Sequence, residues 1–170
     1  MKVTEVQRYL ENKMKFIKKE RSRHIHYTYR TIDNKLPLPT VICLPRSKKE
    51  LGKNVVGSVS KSIGLKERHF KHSVSCNHSR ECDLICLVTR LLTECVENDK
   101  TYPPKIIIPI LKNILIDIDK DQANKSKSIW NQFEKKSLEI CKTKLKNLEN
   151  GNHNLMASIK FASGIIERYW

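Results

Sequence analysis

Residues 22–30 alternate apolar and polar side chains, and this pattern constrains the fold more than any other stretch of the chain. On an extended backbone Ile25, Tyr27 and Tyr29 point one way, while Ser22, His24, His26 and Thr28 point the other. The β-branched and aromatic content favours a strand over a helix. Two further strands are expected around it, a short one at Lys15-Phe16-Ile17-Lys18 and another from Thr40 to Leu44, stopped by Pro45. The polar, Pro-containing stretch 31–39 connects the second and third strands.

Helical spacing brackets these strands. Val3, Val6, Leu10 and Met14 recur as they would on one side of a helix over about 3–13, with Thr4 and Glu5 in its first turn. A second helix is expected over Lys53–Ile63, with Val55, Val56, Val59 and Ile63 on its apolar side and Gly64 as its terminator. The order helix, three strands, helix is α+β. Beyond Leu65 only helical patterns remain, at about 80–97, 104–120, 127–148 and 154–169. The first two are apolar nearly all round, as in the buried helices of a bundle. The third carries a stripe of Trp130, Phe133, Cys141, Leu145 and Leu148, and the fourth one of Leu155, Ile159, Ala162, Ile166 and Tyr169. Thr101-Tyr102-Pro103-Pro104 and Asn150-Gly151-Asn152 separate these helices. Two domains are therefore expected: 1–72, and an all-α helical domain over 76–170.

Charge divides the chain the same way. The formal net charge is +15 over 170 residues. Residues 1–75 hold 18 Lys and Arg against 6 Asp and Glu, and the remainder holds 15 against 12. A compositional bias toward Lys would spread over both halves, and this excess does not. A small domain so charged attracts polyanions, of which nucleic acid is the commonest. No apolar stretch reaches the ~20 residues a bilayer requires, and the amphipathic N-terminus does not read as a signal peptide. A soluble, cytoplasmic protein with no membrane partner is expected, its six Cys reduced.

His24 and His26 share one strand face at a separation of roughly 6.5–7 Å, which can set two imidazoles around one phosphodiester. RNA carries its own nucleophile, the 2′-hydroxyl. Cleavage then requires a base, an acid for the leaving 5′-oxygen, and cations around the phosphorane. Histidine suits both proton transfers, because its unperturbed pKa of ~6.5 is near neutrality. Arg21, Arg23, Arg46, Lys48, Lys49 and Lys53 are candidate RNA-binding cations. No cluster of carboxylates suggests a magnesium site in this half, and no cofactor is expected. The plainer alternative is that both histidines are ordinary solvent-facing residues of an amphipathic strand.

Residues 1–70 resemble the HicA family of small toxin ribonucleases, whose fold is similar to a double-stranded RNA-binding domain. Three stretches carry the likeness. MKVTEVQRYLENK resembles the family's first helix. Arg21-Ser22-Arg23-His24-Ile25-His26-Tyr27 resembles its Gly-Ser-x-His segment, in which the His is catalytic. Leu44-Pro45-Arg46-Ser47-Lys48-Lys49-Glu50-Leu51-Gly52-Lys53, followed by a helix and Ile63-Gly64-Leu65, resembles its Pro-x-x-Lys-Glu-Leu-x-Lys segment and closing helix. The resemblance implies an RNA-binding αβββα domain with His24 in the catalytic position. It departs from the family at Arg21, where Gly is preferred, in a longer 31–39 connection, and in residues 75–170, for which it has no counterpart.

Cys76, His78, Cys82 and Cys86 place four metal-ligand types within eleven residues. They include no Cys-x-x-Cys pair, and Cys86 falls inside an apolar helical run. They are read as thiols and a loop histidine, with zinc as the alternative. Cys43, Cys95, Cys141, Tyr27 and Tyr29 read as core. His69 and His72 read as part of a solvated basic linker.

These observations lead to a metal-independent endoribonuclease of toxin type, with His24 as general base and His26 as acid or phosphate contact. The alternative is a non-catalytic nucleic-acid-binding module carrying a helical domain for protein interaction or self-association. By analogy with the family, an antitoxin-like protein covering the basic face is the expected protein partner.

Overall fold

The computed structural model describes residues 1–29, 41–75, 79–97, 104–123 and 132–150. It is α+β, a three-stranded antiparallel sheet with six helices among those residues. The chain divides into two compact units, Met1–Asp83 and Leu84–Trp170.

In the first unit, α1 (Val3–Arg8) opens with its backbone N-cap held by Glu5, whose carboxylate accepts from Lys2 N at 3.0 Å. It widens into a π turn over Tyr9–Lys13, closed by Met14 N to Tyr9 O at 2.9 Å. Lys15 then takes a φ of 58°, in the left-handed region, and swings the chain into β1 (Phe16–Glu20). β1 pairs with β2 (His24–Tyr29), and β2 with β3 (Ile42–Pro45), in the order β1-β2-β3. The register sets Phe16 against Tyr29, and Ile25 and Tyr27 against Leu44 and Ile42. These residues form the covered face with Val6, Leu10 and Met14 of the first helix and Val56, Val59 and Ile63 of α2 (Lys53–Ile63). Phe16 and Tyr29 meet edge to face at 5.5 Å.

Gly64 ends α2 with φ 84°, and Leu65 N returns to Ser60 O at 2.9 Å. That left-handed C-terminal residue is why glycine stands there. The basic stretch after it, expected as a solvated linker, is a helix instead: α3 (Glu67–Val74). Phe70 explains the difference. It is fully buried and meets Tyr9 edge to face at 5.5 Å, and one inward aromatic gives a polar octapeptide a face to pack.

Asp83, also fully buried, closes the first unit. Its Oδ2 lies 3.0 Å from Lys13 Nζ, accepts from Tyr9 OH at 3.2 Å, and accepts from Ser73 Oγ. Lys13 Nζ also donates to Ser73 O at 3.0 Å and to Ser73 Oγ at 2.8 Å. The network ties the π turn to α3 and to the start of α4 (Arg80–Glu97).

In the second unit, the α4 residues Leu84–Thr89 are buried on every side, as their composition requires. α5 (Pro104–Ala123) was expected to be buried all round, and the structure corrects this. Ile107, Ile110, Leu111, Ile114 and Ile118 are covered, while Lys112, Ile116 and Asp119 lie on an exposed side. The pattern in α5 is therefore that of an amphipathic surface helix. It packs against α6 (Gln132–Glu149), with Lys142 Nζ 3.0 Å from Asp119 Oδ1 and Lys112 paired with Glu149. Leu138, Cys141, Leu145 and Leu148 are the inward stripe of α6. The expected helix over 154–169, the 31–39 connection, and the Trp130 and Phe133 side chains lie outside the described residues. No helix among the described residues is long and apolar enough to cross a membrane.

Tyr27 gives the first unit a pH dependence. It is buried and donates from its hydroxyl to Glu11 Oε1 at 2.9 Å. Burial and then the Glu11 carboxylate push that hydroxyl above its ordinary value. The folded state thus favours the neutral phenol. Its contribution is complete below about pH 10, where the unfolded chain begins to ionise, and is lost as pH rises further. The urea midpoint of the wild type is expected to fall more steeply between pH 10 and pH 12 than that of Tyr27→Phe. Parallel declines would remove Tyr27 as the cause.

Candidate nucleic-acid interface

The face of the sheet opposite the helices is set by strand alternation. β1 contributes Ile17 and Lys19, β2 contributes His24, His26 and Thr28, and β3 contributes Cys43 and Pro45. The register arranges them in rows. Lys19, His26 and Cys43 stand side by side across three strands, and Ile17 stands beside Thr28. His24 pairs with Pro45 on one side, and on the other its carbonyl accepts from Arg21 N at 2.9 Å.

His24 is exposed and His26 half-buried, both at the turn end of β2. Arg21 lies directly across from His24, where cross-strand Cβ atoms are about 4.5–5.5 Å apart. The only described non-glycine residue with positive φ is Lys15, so neither Arg21 nor the turn after it requires a glycine conformation. Arg21 is accommodated there without a left-handed backbone, as the cross-strand partner of His24. Arg23, in the turn, is exposed, and its carbonyl accepts from Arg46 N at 3.4 Å.

The basic segment after β3 reads as a loop in the sequence, but its backbone is tied down at several points. Val3 N donates to Lys49 O and Leu51 N to Met1 O, both at 2.9 Å, and Lys2 bridges Glu50. Leu51 is buried beneath the segment. Lys48 and Lys49 are thereby exposed on an anchored strap, and Lys53 is exposed on the first residue of α2. Arg46 is exposed, but its Nη2 lies 3.3 Å from Glu20 Oε2, and Lys18 Nζ lies 3.1 Å from Glu20 Oε1. Lys18, and then Arg46, hold the Glu20 carboxyl below its ordinary value. Part of the positive charge at this edge is therefore already countered, and Arg46 is the least available of the expected RNA contacts.

Sequence reasoning missed Lys19. The signal was present: with Phe16 inward, alternation along β1 sends Ile17 and Lys19 outward. It was obscured because the strand was expected to end at Lys18, two residues before its end at Glu20. Cys43, expected in the core, is exposed on the open face, since alternation with buried Ile42 and Leu44 turns it outward. Cys82, Cys86, Cys95 and Cys141 are buried. Cys76 and His78 lie outside the described residues, and among those described no three His, Cys, Asp or Glu side chains converge as metal ligands.

The face thus carries an exposed histidine whose cross-strand neighbour is Arg21, a half-buried histidine paired in register with Lys19, and exposed lysines on the adjoining anchored strap. A surface with cationic and imidazole side chains in these positions can hold a phosphodiester. No family model, curated protein or solved structure matches the chain.

Proposed function

We propose that the first unit is a metal-independent endoribonuclease of the HicA-like toxin type, built on a fold similar to a double-stranded RNA-binding domain. The observation that carries this reading is His24, exposed at the start of β2 directly across from Arg21. His24 takes the 2′-hydroxyl proton, and the freed oxygen attacks the adjacent phosphorus. His26, one step along the same face and flanked by Lys19, donates a proton to the departing 5′-oxygen. Arg21 and Lys19 offset the charge that builds on the phosphorane. Arg23, Lys48, Lys49 and Lys53 hold the flanking phosphates. The products are a 2′,3′-cyclic phosphate and a 5′-hydroxyl. An antitoxin-like protein covering this face, and self-association through the helical unit, are the protein contacts this reading leaves room for.

Incubation of the full chain with RNA in excess EDTA tests the proposal. Fragments ending in 2′,3′-cyclic phosphate are expected. Binding without cleavage would instead favour a nucleic-acid-binding module, and cleavage abolished by the chelator would rule out a mechanism that runs on protein groups alone.

A further inference from the structure

We propose that α3 is a second phosphate-binding ridge that grips the RNA backbone away from the cleavage site. The inference rests on the RNA reading above and extends the footprint to a helix that the sequence presents as a linker.

Lys66-Glu67-Arg68-His69-Phe70-Lys71-His72 would scatter its cations if it were unstructured. Folded as α3, it sorts them. Phe70 and Ser73 turn inward, and Arg68, Lys71 and His72 are exposed at spacings of three and four, which puts them on one side of the helix. The helix is anchored at both faces of its turn, since Phe70 packs on Tyr9, Ser73 accepts from the Lys13 ammonium, and the Ser73 hydroxyl donates to Asp83. Charges fixed in place lose less entropy on binding than charges on a flexible tail.

Glu67 shows where the ridge lies relative to the rest of the interface. Its Oε1 is 2.7 Å from Lys71 Nζ. Lys71, and more weakly Lys53, lower its carboxyl from the ordinary value. Gly57, one turn beyond Lys53 in α2, faces the same carboxylate: a Cβ there would lie 4.0 Å from Glu67 Oε2. The first turn of α3 therefore runs beside the first half of α2, and its cations continue the basic surface that starts at Lys53. The eight residues of α3 extend it by roughly 12 Å, at ~1.5 Å per residue. An RNA must be several nucleotides long to reach both this ridge and His24.

RNA binding is measured in the full chain carrying His24→Ala, so that substrate survives. Affinities for an RNA of about 20 nucleotides and for a tetranucleotide are taken over a salt series. Adding Arg68→Ala, Lys71→Ala and His72→Ala is expected to flatten the log–log salt slope for the long RNA by about 2 and to lower its affinity roughly tenfold or more. The tetranucleotide affinity is expected to change less than about twofold, since so short a strand cannot bridge both sites. Glu67→Gln, which keeps the helix and removes a negative charge beside Lys53 and Lys71, is expected to tighten the long RNA. An unchanged slope, or an equal loss for both RNAs, overturns the ridge while leaving the RNA reading standing. Failure of the His24→Ala chain to bind either RNA overturns both.

Discussion

His24→Ala is expected to lower the rate of RNA cleavage by about 10²–10⁴-fold, the usual contribution of a positioned proton-transfer group. RNA affinity should stay within about threefold, because the cations that neutralise phosphate are untouched. The selectivity follows from placement. His24 is on the open face, so its removal leaves no cavity beneath it. The variant should therefore unfold at the same urea concentration as the wild type. Single-turnover cleavage of a labelled RNA, set beside anisotropy binding, separates the two effects. A His24→Ala protein that cleaves at the wild-type rate removes this side chain from the chemistry.

Asp83→Ala is expected to cost the first unit about 3–5 kcal/mol, the scale seen when one member of a buried ion pair is removed. Asp83 has no exposed surface, and Lys13, at 16% exposure, would keep its charge without the carboxylate that neutralises it. Tyr9 OH and Ser73 Oγ would lose an acceptor in the same step. Replacing both partners, as Lys13→Met with Asp83→Leu, should recover most of the loss, because the desolvated charge is gone as well. Urea unfolding followed by circular dichroism reads both variants. A cost below about 1 kcal/mol for Asp83→Ala would mean that the network contributes little to holding α3 and the start of α4 in place.

The network also shows what the sequence conceals. Asp83 sits in the charged opening of α4, Arg80-Glu81-Cys82-Asp83, just ahead of Leu84-Ile85, and nothing local marks it as buried. Its partners are some 10 and 70 positions away, at Ser73, Lys13 and Tyr9, so only the tertiary fold identifies it. Elements whose own pattern sufficed were readable. α2 runs over Lys53–Ile63 and α4 over Arg80–Glu97, as expected, because apolar spacing and a terminating glycine or polar boundary settle both. β2 was legible through the alternation of Ile25, Tyr27 and Tyr29. α3 was not, because one aromatic at Phe70 makes no period; the residue that covers it, Tyr9, lies far away in sequence. The anchoring of Lys48–Leu51 was hidden for a related reason. Its hydrogen bonds run from backbone to backbone with Met1 and Val3, and side-chain identity says nothing about them.

The open face was partly legible. Alternation placed His24 and His26 outward together, and the structure leaves His24 exposed and His26 half-buried. The neighbours supplied by pairing, Arg21 across from His24 and Lys19 across from His26, depend on a register that only the folded sheet defines. The same pairing turns Cys43 outward, next to His26, against the expectation from its apolar flanks.

The 2′-hydroxyl is the hinge of the proposed chemistry, and it can be removed from the substrate without touching the protein. Two oligonucleotides of one sequence, one all-RNA and one 2′-O-methylated throughout, are incubated with the full chain in EDTA. The RNA is expected to be cut and the methylated strand to remain intact although bound. Cutting of both strands, or of neither, would contradict His24-driven attack by the 2′-oxygen.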